Sequence, residues 1–324
     1  MAAGAPGNYH SLSVALVCED TVSFAGIGTG HPGSPPPATE DIAFEIGSIT
    51  KALTGMLLCS LAEQGTVSVD QPVAELLPDY AFASTTAQAT TLEELASHRS
   101  GLPRLHRRSV LAALRDAYTL QTGGDPYRGM DREDFLRRAT TAAPAGPRGE
   151  FLYSNLGMSL LGHALAAGGN YPALLHRQLL APLEMNHTRF CTRLNELPKS
   201  RALPHRRSGK TAEPWLSEGY TPSGTGAWST ARDLARLLRA VLDERTPGME
   251  ATRPRFAADG PNRIGMGWMT LTRDGREVTW HNGGTAGSRS FLGIDRQGRR
   301  AVVVLSNTDH DVDTLGARLL LEAD

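Results

Sequence analysis

The sequence predicts an α/β protein of the α+β type: an antiparallel sheet flanked by helices, formed from both chain ends, with an all-helical domain inserted between them. Three observations predict it. Short runs of β-branched and apolar residues, punctuated by turn residues, lie at both ends of the chain. Helical periodicities linked by Gly/Pro loops fill the middle. Between the first strands and that middle lies a helix that is apolar nearly all round and therefore belongs in the interior. With 324 residues, 40% of them hydrophobic, the chain can bury a large core, which excludes a disordered protein.

Residues 12–18 and 22–27 read as a hairpin around the polar Glu19-Asp20-Thr21, and glycine with three consecutive prolines in 28–37 ends it. A short strand, 42–46, leads through Gly47 into the apolar helix, 48–64, which Gly65 stops. Helices are expected at 92–98, 110–120, 132–140, 155–167 and 171–180. The polar, proline-containing stretch 194–219 is expected to wrap the surface before a helix at 231–243. Four β segments, 265–272, 277–281, 288–294 and 301–306, separated by turns such as Arg273-Asp274-Gly275 and Asp295-Arg296-Gln297-Gly298, form a meander, and a helix at 312–321 covers one of its faces. The expected division is a sheet domain from 1–65 and 220–324 and a helical domain from 66–219, with the active site between them.

A formal charge of −1 gives no long-range field to gather nucleic acid or an anionic membrane surface. No run approaches ~18 uncharged apolar residues, and residues 1–10 lack the features of an export signal. A cytoplasmic location is the expectation. Cys18, Cys59 and Cys191 are odd in number, have no paired spacing and read as buried thiols. Gly28-Thr29-Gly30-His31-Pro32-Gly33 fits a phosphate-loop spacing, but prolines rather than a helix follow it. Neither G-x-S-x-G nor H-E-x-x-H occurs, and no metal or cofactor is expected. Only Lys51, Lys199 and Lys210 are lysines, so a lysine inside an apolar helix calls for a reason.

That lysine lies in Ser48-Ile49-Thr50-Lys51, where a spacing of three places hydroxyl and amine one turn apart on one helical face. A serine hydroxyl needs a base to become a nucleophile, burial lowers a lysine's pKa towards that task, and the helix start offers free N–H groups to an oxyanion. The competing account makes Ser48 an N-cap and Lys51 a snorkelling surface residue. Tyr153-Ser154-Asn155 offers a phenol whose pKa a neighbouring ammonium can lower, and an amide that can orient the lysine or a substrate carbonyl. Its plain alternative is a core tyrosine with Asn155 capping a helix. His281-Asn282-Gly283-Gly284-Thr285-Ala286-Gly287 ends an apolar strand, and its glycines let substrate approach a backbone N–H, unless the segment is only a hairpin turn with a structural histidine.

Taken in this order, and with Phe44-Glu45-Ile46-Gly47-Ser48, Leu95 to Pro103, Phe151 to Gly157 and Gly226 to Ala235, these segments resemble the serine β-lactamase and penicillin-binding-protein superfamily. The likeness is greatest to its class C β-lactamase, D-aminopeptidase and class C esterase branch, and covers nearly the whole chain. The resemblance implies Ser48 as acylated nucleophile, Lys51 as its proton partner, Tyr153 as general base and acid, Asn155 as orienting residue, and the N–H groups of Ser48 and Gly284 as oxyanion hole. His281 departs from the lysine of the K-T-G motif in β-lactamases and DD-peptidases, and resembles the aminopeptidase and esterase members. A histidine is mostly neutral near pH 7, so recognition of a substrate carboxylate there weakens. Arg289 is a candidate replacement at the pocket edge, otherwise a solvated hairpin arginine. The cluster Arg104, His106, Arg107 and Arg108 reads as a solvated helix start, with attraction of an acidic substrate group as the alternative.

The expected function is a serine acyl-transfer enzyme that forms an acyl-Ser48 intermediate from a small ester or amide and passes it to water. Transfer to an amine or alcohol is the alternative within the class, and a non-catalytic binding protein the alternative outside it. His281, Asn282, Gly283 and Arg289 are the expected substrate contacts beside Asn155. The oligomeric state stays open.

Overall fold

A computed structural model describes residues 10–28, 39–106, 110–273 and 275–322. The glycine-rich segment after residue 28, Arg107, Arg108 and Asp274 of the expected turn lie outside these. The chain opens with β1 (Ser11–Cys18) and β2 (Thr21–Gly28), then β3 (Phe44–Glu45) and the central helix α1 (Ile49–Glu63). Seven helices follow: α2 (Val73–Leu76), α3 (Thr85–Gln88), α4 (Leu92–Ala96), α5 (Val110–Thr122), α6 (Arg132–Thr140), α7 (Asn155–Leu165) and α8 (Tyr171–Leu175), the last continued by a π-turn, His176–Leu180. After them come β4 (Arg189–Phe190), β5 (Ala227–Ser229) and α9 (Ala231–Leu242). The C-terminal part runs β6 (Phe256–Ala257), β7 (Asn262–Ile264), β8 (Met269–Arg273), β9 (Arg276–Gly284), β10 (Arg289–Asp295), β11 (Arg300–Ser306) and α10 (Asp313–Glu322).

Eight strands form one antiparallel sheet in the order β2-β1-β11-β10-β9-β8-β7-β6, so the first hairpin joins the last strand, with Leu12 opposite Ser306 and Cys18 opposite Arg300. The period of two divides the side chains between two layers. Ala15, Val17, Leu292, Val303 and Leu305 face the main core with α1 and α9, while Leu12, Val14, Phe291, Val302 and Val304 face α10. The α9 helix fits this role because Leu234, Leu237, Leu238 and Val241 form one buried stripe, and the Thr230 side chain accepts from the Asp233 N–H to cap its start. Every residue of α1 from Ile49 to Leu61 is buried, as its all-round apolar pattern predicts.

Three features differ from the sequence expectation. The run 265–272 is not one strand: Gly265 N–H bonds the Trp268 carbonyl, Gly267 takes a φ of 72°, and the resulting turn separates β7 from β8. Residues 42–46 supply only the two-residue β3, which belongs to a separate sheet, β3-β5-β4. The stretch 194–219 leaves the surface at its end, where Trp215 packs on Tyr127 at 5.2 Å and Ser217 is buried. Among the described residues no helix is long and apolar enough to cross a membrane.

Candidate active site

The start of α1 is forced against the sheet by glycine. Gly47 takes a φ of 49°, and a Cβ there would lie 2.8 Å from the Gly284 nitrogen, while one on Gly224 would lie 2.4 Å from the Gly47 carbonyl oxygen. Carbonyls of Ile46, Gly47 and Ser48 accept from the N–H groups of Ile49, Thr50 and Lys51, and the Ser48 N–H is not among the donors of this tight turn. Ser48 is half-exposed within an otherwise buried stretch. Its side chain makes no capping bond. Instead Lys51 Nζ donates to Ser48 Oγ at 2.7 Å and to the Ser223 carbonyl at 2.6 Å. Lys51 is fully buried, so it does not snorkel. Burial, with the positive charge of Arg104 in second place, drives its pKa well below the usual lysine value, which favours the free amine.

Tyr153 enters on the segment before α7, with Lys51 Nζ 5.2 Å from its ring centroid. Burial pushes its phenol up to about 12, against the opposing effects of a hydrogen bond with the Ser48 side chain and of Arg104. This corrects the expectation of an ammonium that lowers the phenol's pKa, because the same burial that raises the phenol also disfavours the ammonium. Ser154, not Asn155, caps α7 by accepting from the Gly157 N–H at 2.8 Å. Asn155 is buried, its Nδ2 donates to the Tyr127 hydroxyl at 3.4 Å, and its Oδ1 is without a partner. Lys51 is therefore held by Ser48 and Ser223, and the Asn155 oxygen is left for something else.

On the opposite wall, His281 to Gly284 are part of strand β9, and the turn comes later, closed by the Thr285 N–H to the Ser288 carbonyl at 3.0 Å. Pairing alternates along an antiparallel ladder, so Gly284 opposite Arg289 is a non-hydrogen-bonded position and its N–H points to the other edge. β8 pairs with β9 only as far as Trp280, which leaves that edge open beside Ser48. A Cβ on Gly283 would lie 2.1 Å from the Ile46 carbonyl oxygen and 3.0 Å from the Ser48 nitrogen, so only glycine permits this approach. His281 is on the same face, buried, with Nδ1 2.6 Å from the Asn282 carbonyl oxygen. Desolvation first, then Lys51, pulls it down to about 3, and it is neutral at pH 7.

Two expected substrate contacts are corrected. Asn282 alternates to the α10 face, where its Nδ2 donates to Asp313 at 2.6 Å. Arg289 lies on that face too and is ion-paired with Asp309. A strand sends neighbouring side chains to opposite faces, and the motif string does not show that.

Several residues were not singled out from the sequence. Ser223, which anchors Lys51 through its carbonyl, has no side-chain signature. His98, with a φ of 58°, accepts at Nδ1 from the Ser154 N–H at 3.2 Å and its ring lies 4.4 Å from that of Tyr153. Glu45 is buried and accepts from the Trp215 N–H at 2.8 Å and the Thr285 hydroxyl at 2.9 Å; burial pushes its carboxyl up to about 7. Its charge inside an apolar strand was the signal available. Among the described residues no three His, Cys, Asp or Glu side chains form a set suited to a metal ion.

The family model described as Beta-lactamase matches residues 5–324. Among curated proteins, the D-alanyl-D-alanine-carboxypeptidase/endopeptidase AmpH of Escherichia coli (strain K12) is 26% identical over 298 residues, 84% of this chain and 72% of that protein. Penicillin-binding protein 4 of Amycolatopsis lactamdurans is 27% identical over 298 residues, 82% of this chain and 72% of that one. Among solved structures, the octameric penicillin-binding protein homologue from Pyrococcus abyssi superposes with a TM-score of 0.81 at 22% identity, covering 96% of this chain and 72% of that one. A class C beta-lactamase gives 0.80 at 17% identity, covering 98% and 92%. With the match extending over almost every residue and the fold shared, the chain belongs to the beta-lactamase family.

Proposed function

We propose that this protein is a serine hydrolase that forms an acyl-Ser48 intermediate from an ester or amide and releases it to water. The observation that carries the reading is a buried lysine amine 2.7 Å from a half-exposed serine hydroxyl at a helix start. The Lys51 amine accepts the Ser48 proton as Oγ attacks the carbonyl carbon, and the N–H groups of Ser48 and Gly284 receive the oxyanion. Collapse expels the leaving alkoxide or amine, which takes that proton back from Lys51 by way of the Tyr153 phenol. In the second half water loses a proton along the same path, attacks the acyl carbon and frees Ser48. Tyr153 acts in this scheme as a neutral phenol that relays protons, because its pKa of about 12 makes it a poor resting base.

With His281 neutral and Arg289 paired with Asp309, neither of these two side chains offers a free cation to the carboxylate of a β-lactam or a peptide terminus. Esters and amides that place no carboxylate against β9 are therefore preferred over β-lactams, although relatives carry carboxypeptidase and penicillin-binding names. Intact-protein mass spectrometry after brief mixing with 4-nitrophenyl acetate tests the reading: an acetyl adduct is expected on the wild type and not on Ser48→Ala. An adduct of equal yield on Ser48→Ala overturns it, and adduct loss accelerated by added amine with formation of amide assigns the enzyme to acyl transfer between substrates instead.

A further inference from the structure

The cations around Ser48 are unequally available. His281 and His98 are buried and neutral, Lys51 is committed to Ser48 and Ser223, and Arg289 is paired on the far face. Arg104 is exposed, and among the described residues no carboxylate pairs with it. Its guanidinium carbon is 5.7 Å from the Tyr153 ring centroid, and its charge reaches Lys51, Tyr153 and Tyr127. Its place is built rather than incidental. The loop before it runs along the segment before α7: Leu152 N–H bonds the His98 carbonyl at 2.7 Å, the Ser154 hydroxyl the Pro103 carbonyl at 2.7 Å, and Leu156 N–H the Arg104 carbonyl at 3.1 Å. These bonds fix the Arg104 backbone beside the turn that presents Tyr153 and Asn155.

We propose that Arg104 recognises a carboxylate on the substrate, so that the preferred esters or amides are anionic and the anion lies beside Tyr153 instead of on β9. A guanidinium stays charged at all working pH values and presents a fork matched to a carboxylate, which the neutral His281 does not. The site thus keeps a cation but moves it from the strand to the helical side. This rests on the acyl-Ser48 reading for which bond is cleaved, but binding can be measured without acylation.

Calorimetry on Ser48→Ala protein, with acetanilide as neutral ligand and N-phenylsuccinamate and 3-acetamidobenzoate as anionic ones, separates the two. At least one anionic ligand is expected to bind roughly five- to tenfold more tightly than acetanilide, with the advantage shrinking in high salt. Adding Arg104→Gln should erase that advantage while leaving acetanilide binding within twofold, and Arg104→Lys should restore part of it. Equal binding of all three ligands, or an anionic preference that survives Arg104→Gln, overturns the proposal. The acetyl adduct on wild-type protein reports separately on Ser48, so the failure of one is distinct from the failure of the other.

Discussion

Burial decides the chemistry of each residue at this site more than neighbouring charges do. Lys51 loses its proton readily because it is enclosed, and Tyr153 keeps its own for the same reason. Lys51→Ala should lower the acylation rate by ~10²–10⁴, as removal of a general base does, and Tyr153→Phe should retain more activity than Lys51→Ala; stopped-flow ester hydrolysis compares them. Glu45 gives a second test through stability. Its folded pKa of about 7 exceeds the usual 4.5, so its stabilising share is present below the lower value and lost as pH rises through the upper one. Glu45→Gln keeps an acceptor for Trp215 and can donate to Thr285, so its Tm relative to wild type should be higher at pH 8 than at pH 5, by an amount equivalent to about 2–3 kcal/mol. Equal differences at both pH values would contradict this. The nearness of Ser48 and Lys51 was legible because a spacing of three puts both on one helical face, whereas the place of Tyr153 beside them followed only from the family resemblance. Asn282 and Arg289 were misread because proximity along a strand does not reveal which face a side chain takes.

Among the elements, helices pack where glycine removes a Cβ. A Cβ on Gly55 of α1 would lie 1.8 Å from the Met266 carbonyl oxygen, and one on Gly162 of α7 would lie 2.2 Å from Pro222. Pro222 adjoins Ser223, whose carbonyl holds Lys51, so α7 helps set the position of that lysine through Pro222. Although alanine is the better helix former, Gly55→Ala and Gly162→Ala should each destabilise by about 1–3 kcal/mol through overpacking, seen as lowered urea midpoints. Only Gly162→Ala should also slow acylation in the protein that remains folded. Helix limits were legible: α6 falls at the 132–140 expected from the sequence, and in the structure the Asp131 side chain caps its start. The split of 265–272 was not, because Gly265-Met266-Gly267-Trp268 keeps the apolar character of a strand while a contact with α1 bends it.

Across the whole molecule, a sheet joining both chain ends was legible from strand-like runs at each end, while the small β3-β5-β4 sheet was not, since strands of two or three residues leave almost no periodicity. The three thiols are unlinked, and burial pushes Cys59 up to about 12 and Cys191 up to about 11, with Cys18 half-exposed. A thiol reagent should therefore modify Cys18 in the native protein and reach Cys59 and Cys191 only on unfolding; rapid native reaction of all three would contradict the packing described. The pairing of β1 with β11 also governs how the protein is made. As the chain leaves the ribosome, the first hairpin must wait for residues almost three hundred positions later before its inner edge is covered. Loop closure on that scale is slow, and an unpaired strand edge is a template for aggregation in the meantime. Gly284 arrives shortly before β11, so the β9 wall of the candidate site and the closure of the sheet are completed together, and a nascent chain that has made α1 holds Ser48 and Lys51 long before the wall opposite them exists.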